Sequence, residues 1–307
     1  MRYSSLNKQD GSAILLAIFM SAILTTVAIG FNWVVKEHIK TAEGLKIKSE
    51  AMLNASTTFD TIIYLLLTGK KTQREFILQN GNKLLDITNI PLDGSKVIVN
   101  GDAKVSIRES NGMLSLAPLK KQAMERLIEL SSGEDAAGII ESYLDWIDKD
   151  KYVRINGAED FFYRSEGVPY SPRNYPIQYK DEFALVKGMN EEIYRRIEPH
   201  ITILPSLGFN PNTASEDVLM AYLNIDNDAV QSLMDYMARK LISSDMELFS
   251  LTGRKIVDDE GVYFYPSPFM EVTIKVGIPD AVYTIHAGVD TRQNLLRPYS
   301  IIYWRGE

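Results

Sequence analysis

The 307-residue chain has no cysteine, and its three histidines, His38, His200 and His286, lie far apart. Thiolate nucleophiles and cysteine-bound metals are therefore excluded, and no histidine cluster, phosphate loop or nucleophile motif stands in for them. Nothing assembles a catalytic constellation, so the chain is expected not to be an enzyme. The lack of cysteine leaves the compartment open, because a periplasmic chain can simply lack disulfides. Basic excess is missing as well: 33 Lys and Arg stand against 40 Asp and Glu, for a net charge of −7. Proline is absent from Ser12 to Thr68, so nothing interrupts a helix there.

Against that water-soluble background stands one apolar run. Ala13 to Val35 is 23 residues without a charge, and only Ser21, Thr25, Thr26 and Asn32 carry polar side chains. As a helix it covers roughly 35 Å, enough to cross a hydrocarbon core of about 30 Å once. The leader places Arg2, Lys8 and the amino terminus against the single acid Asp10, which keeps the N-terminus cytoplasmic and sends the chain after Lys36 across. The run is too long for a secretory signal and no A-x-A site closes it. Instead Val34, Val35, Ile39, Leu45, Met52, Phe59, Ile62, Ile63, Leu66 and Leu67 recur at near-helical spacing. One rod, half in lipid and half in water, is expected.

After the rod the period changes. "KVIVNGDAKVSIRESNGMLSL" alternates apolar and polar residues around Asn100-Gly101 and Asn111-Gly112, both two-residue hairpin signals. Strand character then disappears and returns only from Phe269 to Trp304. Strands at both ends of a helical block imply a helical domain inserted into a sheet domain, an α+β chain. The block reads as helix-turn-helix phrases: "LKKQAMERLIELSSGEDAAGIIESYLDWI", "KDEFALVKGMNEEIYRRIEPHI" and "TASEDVLMAYLNIDNDAVQSLMDYM". Thr213 or Ser215 is placed to cap the helix that follows. The later phrases look like helix-hairpin-helix DNA modules, but Ile177 to Asp245 carries six Lys or Arg against eleven Asp or Glu. A phosphate-binding surface needs the opposite sign, so nucleic acid is not expected as a partner.

"DKDKYVRINGAE" places carboxylates at the first, third and twelfth positions, as a calcium loop does. Tyr152 and Val153 occupy the fifth and sixth, so the turn glycine is missing and this is no EF-hand. Asp148, Asp150, Glu159 and Asp160 can still converge on a cation if the loop folds back; the alternative is a solvated acidic loop that breaks a helix after Trp146.

A short basic leader ending in Gly11, followed by an apolar helix that continues as an amphipathic stalk, resembles the signal of type IV pilins and type II secretion pseudopilins. The resemblance implies that a prepilin peptidase cuts between Gly11 and Ser12 and methylates the new amine. Most of that family carries Glu at the fifth mature position, where this chain has Leu16. Loss of that Glu, together with the helical insertion, resembles the K-type minor pseudopilin, which caps the filament. The segment from Asp145 to Leu219, through "GAED", "PRN" and "NPNTA", carries the closest likeness.

The layout implied is a leader at 1–11, a transmembrane helix at 12–35, a stalk at 36–68, a pilin-like sheet domain at 69–117 and 261–307, and the insertion at 118–260. The function implied is to start pseudopilus assembly at the tip and support export across the outer membrane. Expected partners are the I-type and J-type minor pseudopilins, the prepilin peptidase, the inner membrane through a single span, and the outer-membrane channel or cargo. The family is associated with calcium. A minor pilin of a type IV pilus and a membrane-anchored DNA-uptake protein remain as alternatives. Processing predicts a mature chain that begins at N-methylated Ser12, which mass spectrometry of the N-terminal peptide from native membranes checks; an intact Met1 beside an active peptidase would refute it.

Overall fold

The computed structural model describes residues 10–79, 81–133, 136–254, 264–279, 281–293 and 295–307. Residues 1–9 of the expected leader and the expected end of the insertion near 260 lie outside these.

Helix α1 (Asp10–Thr68) runs unbroken for 59 residues, about 88 Å at the usual rise. Within the apolar half every large side chain from Ile14 to Trp33 is exposed. The polar groups there are satisfied within the helix: Thr25 Oγ1 donates to the Ser21 carbonyl at 2.7 Å and Thr26 Oγ1 to that of Ala22 at 2.8 Å. That local closure is what lets a threonine sit at membrane depth. From Ala51 onward the helix buries a face made of Ala51, Ala55, Phe59, Ile62, Ile63 and Leu66.

Short strands β1 (Lys70–Lys71), β2 (Glu75–Ile77) and β3 (Asn89–Pro91), with helix α2 (Gly81–Leu84) between the last two, form a small sheet beside the end of α1. Strands β4 (Asp93–Val99) and β5 (Ala103–Glu109) form a hairpin. Its turn places Asn100 at φ 50° and Gly101 at φ 80°, the left-handed pair that matches strand twist. Next come β6 (Leu114–Ser115), α3 (Lys121–Ser132), α4 (Ala137–Ile147), α5 (Asp160–Ser165), α6 (Glu191–Ile197), β7 (Ile201–Thr202), α7 (Glu216–Leu223), α8 (Asn227–Met237) and α9 (Asp245–Thr252). Strands β8 (Phe269–Ile278), β9 (Ala281–Asp290) and β10 (Ser300–Gly306) complete the chain.

The main sheet is antiparallel, in the order β10-β9-β8-β5-β4. Strand β5 pairs directly with β8, Ile107 opposite Val272 and Val105 opposite Ile274, and β8 carries the same rows to Ala287 and Ile285 on β9. All six are buried, so period-2 alternation puts one face of the sheet against α1. The helical block is therefore inserted between two neighbouring strands of one sheet. It has a core of its own, built around Leu127, Ile140, Tyr143, Phe183, Leu219 and Leu233.

Several local expectations change. Asn111-Gly112 makes no hairpin; it is a buried 3₁₀ turn whose Gly112 lies against Thr213, so packing overrides the turn signal. Lys180–Leu185 forms a 3₁₀ turn instead of an α-helix. Neither candidate capping hydroxyl caps α7: that of Ser215 meets His200 Nδ1 at 2.8 Å, and that of Thr213 is bonded to Glu109.

Glu109 joins the two cores. It is fully buried and accepts from the amides of Asn111 at 2.8 Å and Ser267 at 2.7 Å, from Asn210 Nδ2 at 3.1 Å and from the Thr213 hydroxyl. Asn210 also reaches the Gln73 carbonyl at 3.1 Å, and Asn212 exchanges hydrogen bonds with the backbone of Ile242. The "NPNTA" segment thus ties the end of β5, the approach to β8 and the helical domain through buried polar contacts.

Burial pushes the Glu109 carboxyl up to about 7 from its ordinary 4.5, with the Thr213 and backbone hydrogen bonds opposing. A raised folded value means that this group's stabilisation is full below about pH 4.5 and is lost as pH rises through 7, a fall of about 3 kcal/mol. Glu109→Gln is expected to remove that slope and to cost about 1–3 kcal/mol by turning an amide NH₂ toward backbone donors. Denaturant unfolding of both proteins in detergent, followed by near-ultraviolet circular dichroism at about pH 5 and pH 8, checks this; equal slopes would refute it.

Candidate metal centre

Helix α4 presents Glu141 and Asp145 four residues apart, on the face that meets the loop which follows, and Asp148 caps its end. The helix stops at Ile147, and the Asp148 amide donates to the Leu144 carbonyl at 3.1 Å. The chain then folds back. Gly157 packs on the Asp145 carboxylate so closely that a Cβ there would overlap it. This close approach places Glu159, just before α5, over the end of α4.

As a result, carboxylate oxygens of Asp148, Asp150 and Glu159 all lie within 4.8 Å of one another. Asp150 is exposed and Asp148 half-buried, while Glu159 is only 4% exposed. Among the described residues, no hydrogen-bond partner meets the buried oxygens of Glu159 or Oδ1 of Asp148. Arg154 is the resident cation. Its Nη1 meets Asp145 Oδ1 at 2.6 Å and also Asp148 Oδ2, its Nε lies 3.8 Å from Glu141, and its amide donates to Asp145 Oδ2 at 3.2 Å. Hydrogen bonds to Asp148 and Asp145 raise the Arg154 pKa, so it stays charged. Burial raises the carboxyl of Glu159, the neighbouring Asp160 amide opposes that, and the charges of Asp145, Asp148 and Asp150 raise it further.

One arginine cannot balance this group. A buried carboxylate with two orphaned oxygens beside other carboxylates must take up a proton or a cation. An all-oxygen donor set suits a hard divalent ion, and calcium tolerates its irregular spacing better than magnesium does. The residues present fit such an ion.

Of the four carboxylates singled out in the sequence, the structure gathers Asp148, Asp150 and Glu159. Asp160 is kept apart: it opens α5 and pairs with Arg164 at 2.6 Å. Asp145, fully buried, was not anticipated, although the i,i+3 spacing of Asp145 and Asp148 was visible. Gly11 and Ser12 lie in the first turn of α1, and Leu16 is exposed on the apolar half. Each histidine has separate surroundings: His38 is exposed on α1, His200 Nε2 lies 3.1 Å from Asp217, and His286 Nδ1 meets Thr273 Oγ1 at 3.2 Å.

Comparison with known proteins agrees with this architecture. The family model for type II secretion system (T2SS), protein K, matches residues 100–206, from the turn before β5 through the acidic cluster to β7. Type II secretion system protein K of Pectobacterium carotovorum subsp. carotovorum is 26% identical over 235 residues, 68% of each chain. The protein of the same name from Pseudomonas aeruginosa is 25% identical over 256 residues, 76% of this chain and 73% of that one. A chain of the crystal structure of the GspK-GspI-GspJ complex from the enterotoxigenic Escherichia coli Type 2 Secretion System superposes with a TM-score of 0.54 at 17% identity, covering 89% of this chain and 99% of its own. That likeness shows a shared fold. Taken with the rod, the interrupted sheet and the helical insertion, these matches make the chain similar to type II secretion system protein K.

Proposed function

We propose that this chain is the minor pseudopilin at the tip of a type II secretion pseudopilus, where it starts assembly beside the I-type and J-type minor pseudopilins and supports export across the outer membrane. It is held in the bacterial inner membrane by one span, with its N-terminus cytoplasmic and its bulk periplasmic. The prepilin peptidase removes the leader after Gly11 and methylates Ser12. The chain catalyses nothing; its work is mechanical, and its broad insertion meets the outer-membrane channel or cargo.

The observation that carries this reading is the unpartnered half of α1. Val34, Leu45 and Met52 are 43%, 63% and 50% exposed and fall within about 20° of one another on a helical wheel. Val34 stands at the end of the membrane run, Leu45 beyond it, and Met52 on the uncovered side of α1 where its other face begins to pack on the sheet. An apolar stripe in water is stabilised by burial against another helix. Leu16 supports the capping position: a carboxylate at membrane depth costs a few kcal/mol unless a partner meets it, and a subunit with nothing stacked above it has no such partner.

The acidic cluster we read as a calcium site held by Asp148, Asp150 and Glu159, with Asp145 and Arg154 fixing the loop. The ion would supply the positive charge that Glu159 lacks and so join the end of α4 to the start of α5.

Two outcomes test these readings. Leu45→Asp with Met52→Asp is expected to weaken co-purification with the I-type and J-type partners by about tenfold or more and to block secretion while the circular dichroism spectrum is kept; unchanged association would defeat the tip assignment. Calcium at about a hundredfold its dissociation constant is expected to stabilise the solubilised chain by about 2.7 kcal/mol. Glu159→Gln loses that gain and Asp160→Asn keeps it, as read by calorimetry and thermal melts; a chain indifferent to calcium would remove the ion from the account.

A further inference from the structure

Beside the acidic cluster four large apolar side chains stand in solvent. Tyr152 and Phe161 are 84% exposed, Ile155 is 87% and Val153 is 60% exposed. Four such residues within ten positions are not scattered surface hydrophobics; a concentration of this kind marks an interaction site. Lys149 and Lys151, both exposed, precede them.

The loop's chemistry selects the occupant. Tyr152, Ile155 and Phe161 rise clear of their neighbours, as side chains that enter a lipid boundary must. Aromatic and branched side chains flanked by lysines suit a lipid-water interface, where the rings enter the acyl boundary and the amines meet phosphate. Charge adds a control. Residues 148–160 hold four acids, Asp148, Asp150, Glu159 and Asp160, against three bases, Lys149, Lys151 and Arg154, so one divalent ion turns a formal −1 into +1. The same residues couple the two features. The Tyr152 amide donates to Asp150 Oδ1 at 2.8 Å and the Arg154 amide to Asp145, so the backbone that carries the apolar side chains is held by the acidic cluster and its neighbour Asp145.

We propose that the loop from Lys149 to Phe161 docks on an anionic phospholipid surface when the acidic cluster holds a divalent cation, inserting Tyr152, Val153, Ile155 and Phe161; this rests on the calcium reading above. The surface belongs to a bilayer other than the one that holds α1. The buried body begins at Ala51, 16 residues past the apolar run, which lifts it about 24 Å from the anchoring membrane.

The test uses the full chain in nanodiscs of neutral phosphatidylcholine, passed over immobilised vesicles with or without phosphatidylglycerol, in calcium or in chelator, with calcium binding measured by calorimetry on the same discs. Capture is expected on the anionic vesicles in calcium only. It is expected to fall by about tenfold or more in the Ile155→Ser, Phe161→Ser double variant, whose exposed positions leave the fold and the calcium affinity unchanged. Capture that ignores calcium, occurs equally on neutral vesicles or survives the double variant overturns the proposal. Normal calcium binding without capture overturns it while leaving the calcium reading intact, whereas absent calcium binding removes both. If the double variant instead weakens binding to the I-type or J-type partners with vesicle capture unaltered, the loop is a protein-docking surface and the proposal fails.

Discussion

Glu109 sits fully buried where two hydrophobic cores meet, and four donors from three separate parts of the chain reach it. Burying a carboxylate is costly unless each oxygen finds a partner, so the position of Glu109 constrains all its donors at once. The end of β5, the "NPNTA" segment and the approach to β8 must arrive together, because losing any of them leaves an uncompensated charge. A domain inserted between neighbouring strands has two covalent crossings into its host. Here a polar knot between those crossings supplies an orientation that apolar packing alone does not specify.

The acidic cluster shows the opposite arrangement. Glu109 accepts from four donors, two on each oxygen, while Glu159 is buried with no hydrogen-bond partner among the described residues. The first is complete within one chain; the second needs a proton or a cation to balance it. The same contrast runs along α1, whose C-terminal part packs one face on the sheet and whose N-terminal half leaves its apolar side chains uncovered all round.

Much of the architecture was legible in one dimension. The length of the apolar run, the absence of proline and the near-helical recurrence after Val35 specify α1, and the alternation in β5, β8 and β9 specifies which face is buried. The interruption between them specifies an insertion. Local signals failed where tertiary contact competed with them. Asn111-Gly112 has the composition of a hairpin, yet its backbone is taken up by Glu109 and the "NPNTA" segment. Ser215 and Thr213 have the composition of caps, yet His200 and Glu109 engage their hydroxyls. At the acidic cluster, spacing nominated four carboxylates and could not tell which would converge. Asp160 was drawn to Arg164 by helical i,i+4 geometry, and Asp145 was overlooked because its role follows from the return of Gly157 in space.

The sequence by itself determined the membrane run, the α+β order of elements and the likeness to the protein K family, because each is written in short-range periodicity or in contiguous residues. Only the tertiary structure decided that Glu109 is the junction, that Glu159 is buried without partners, and that Tyr152, Ile155 and Phe161 stand free beside it. The physical reason is that burial and electrostatic compensation depend on which segments meet across long stretches of chain, and helical or strand periodicity carries no information about that.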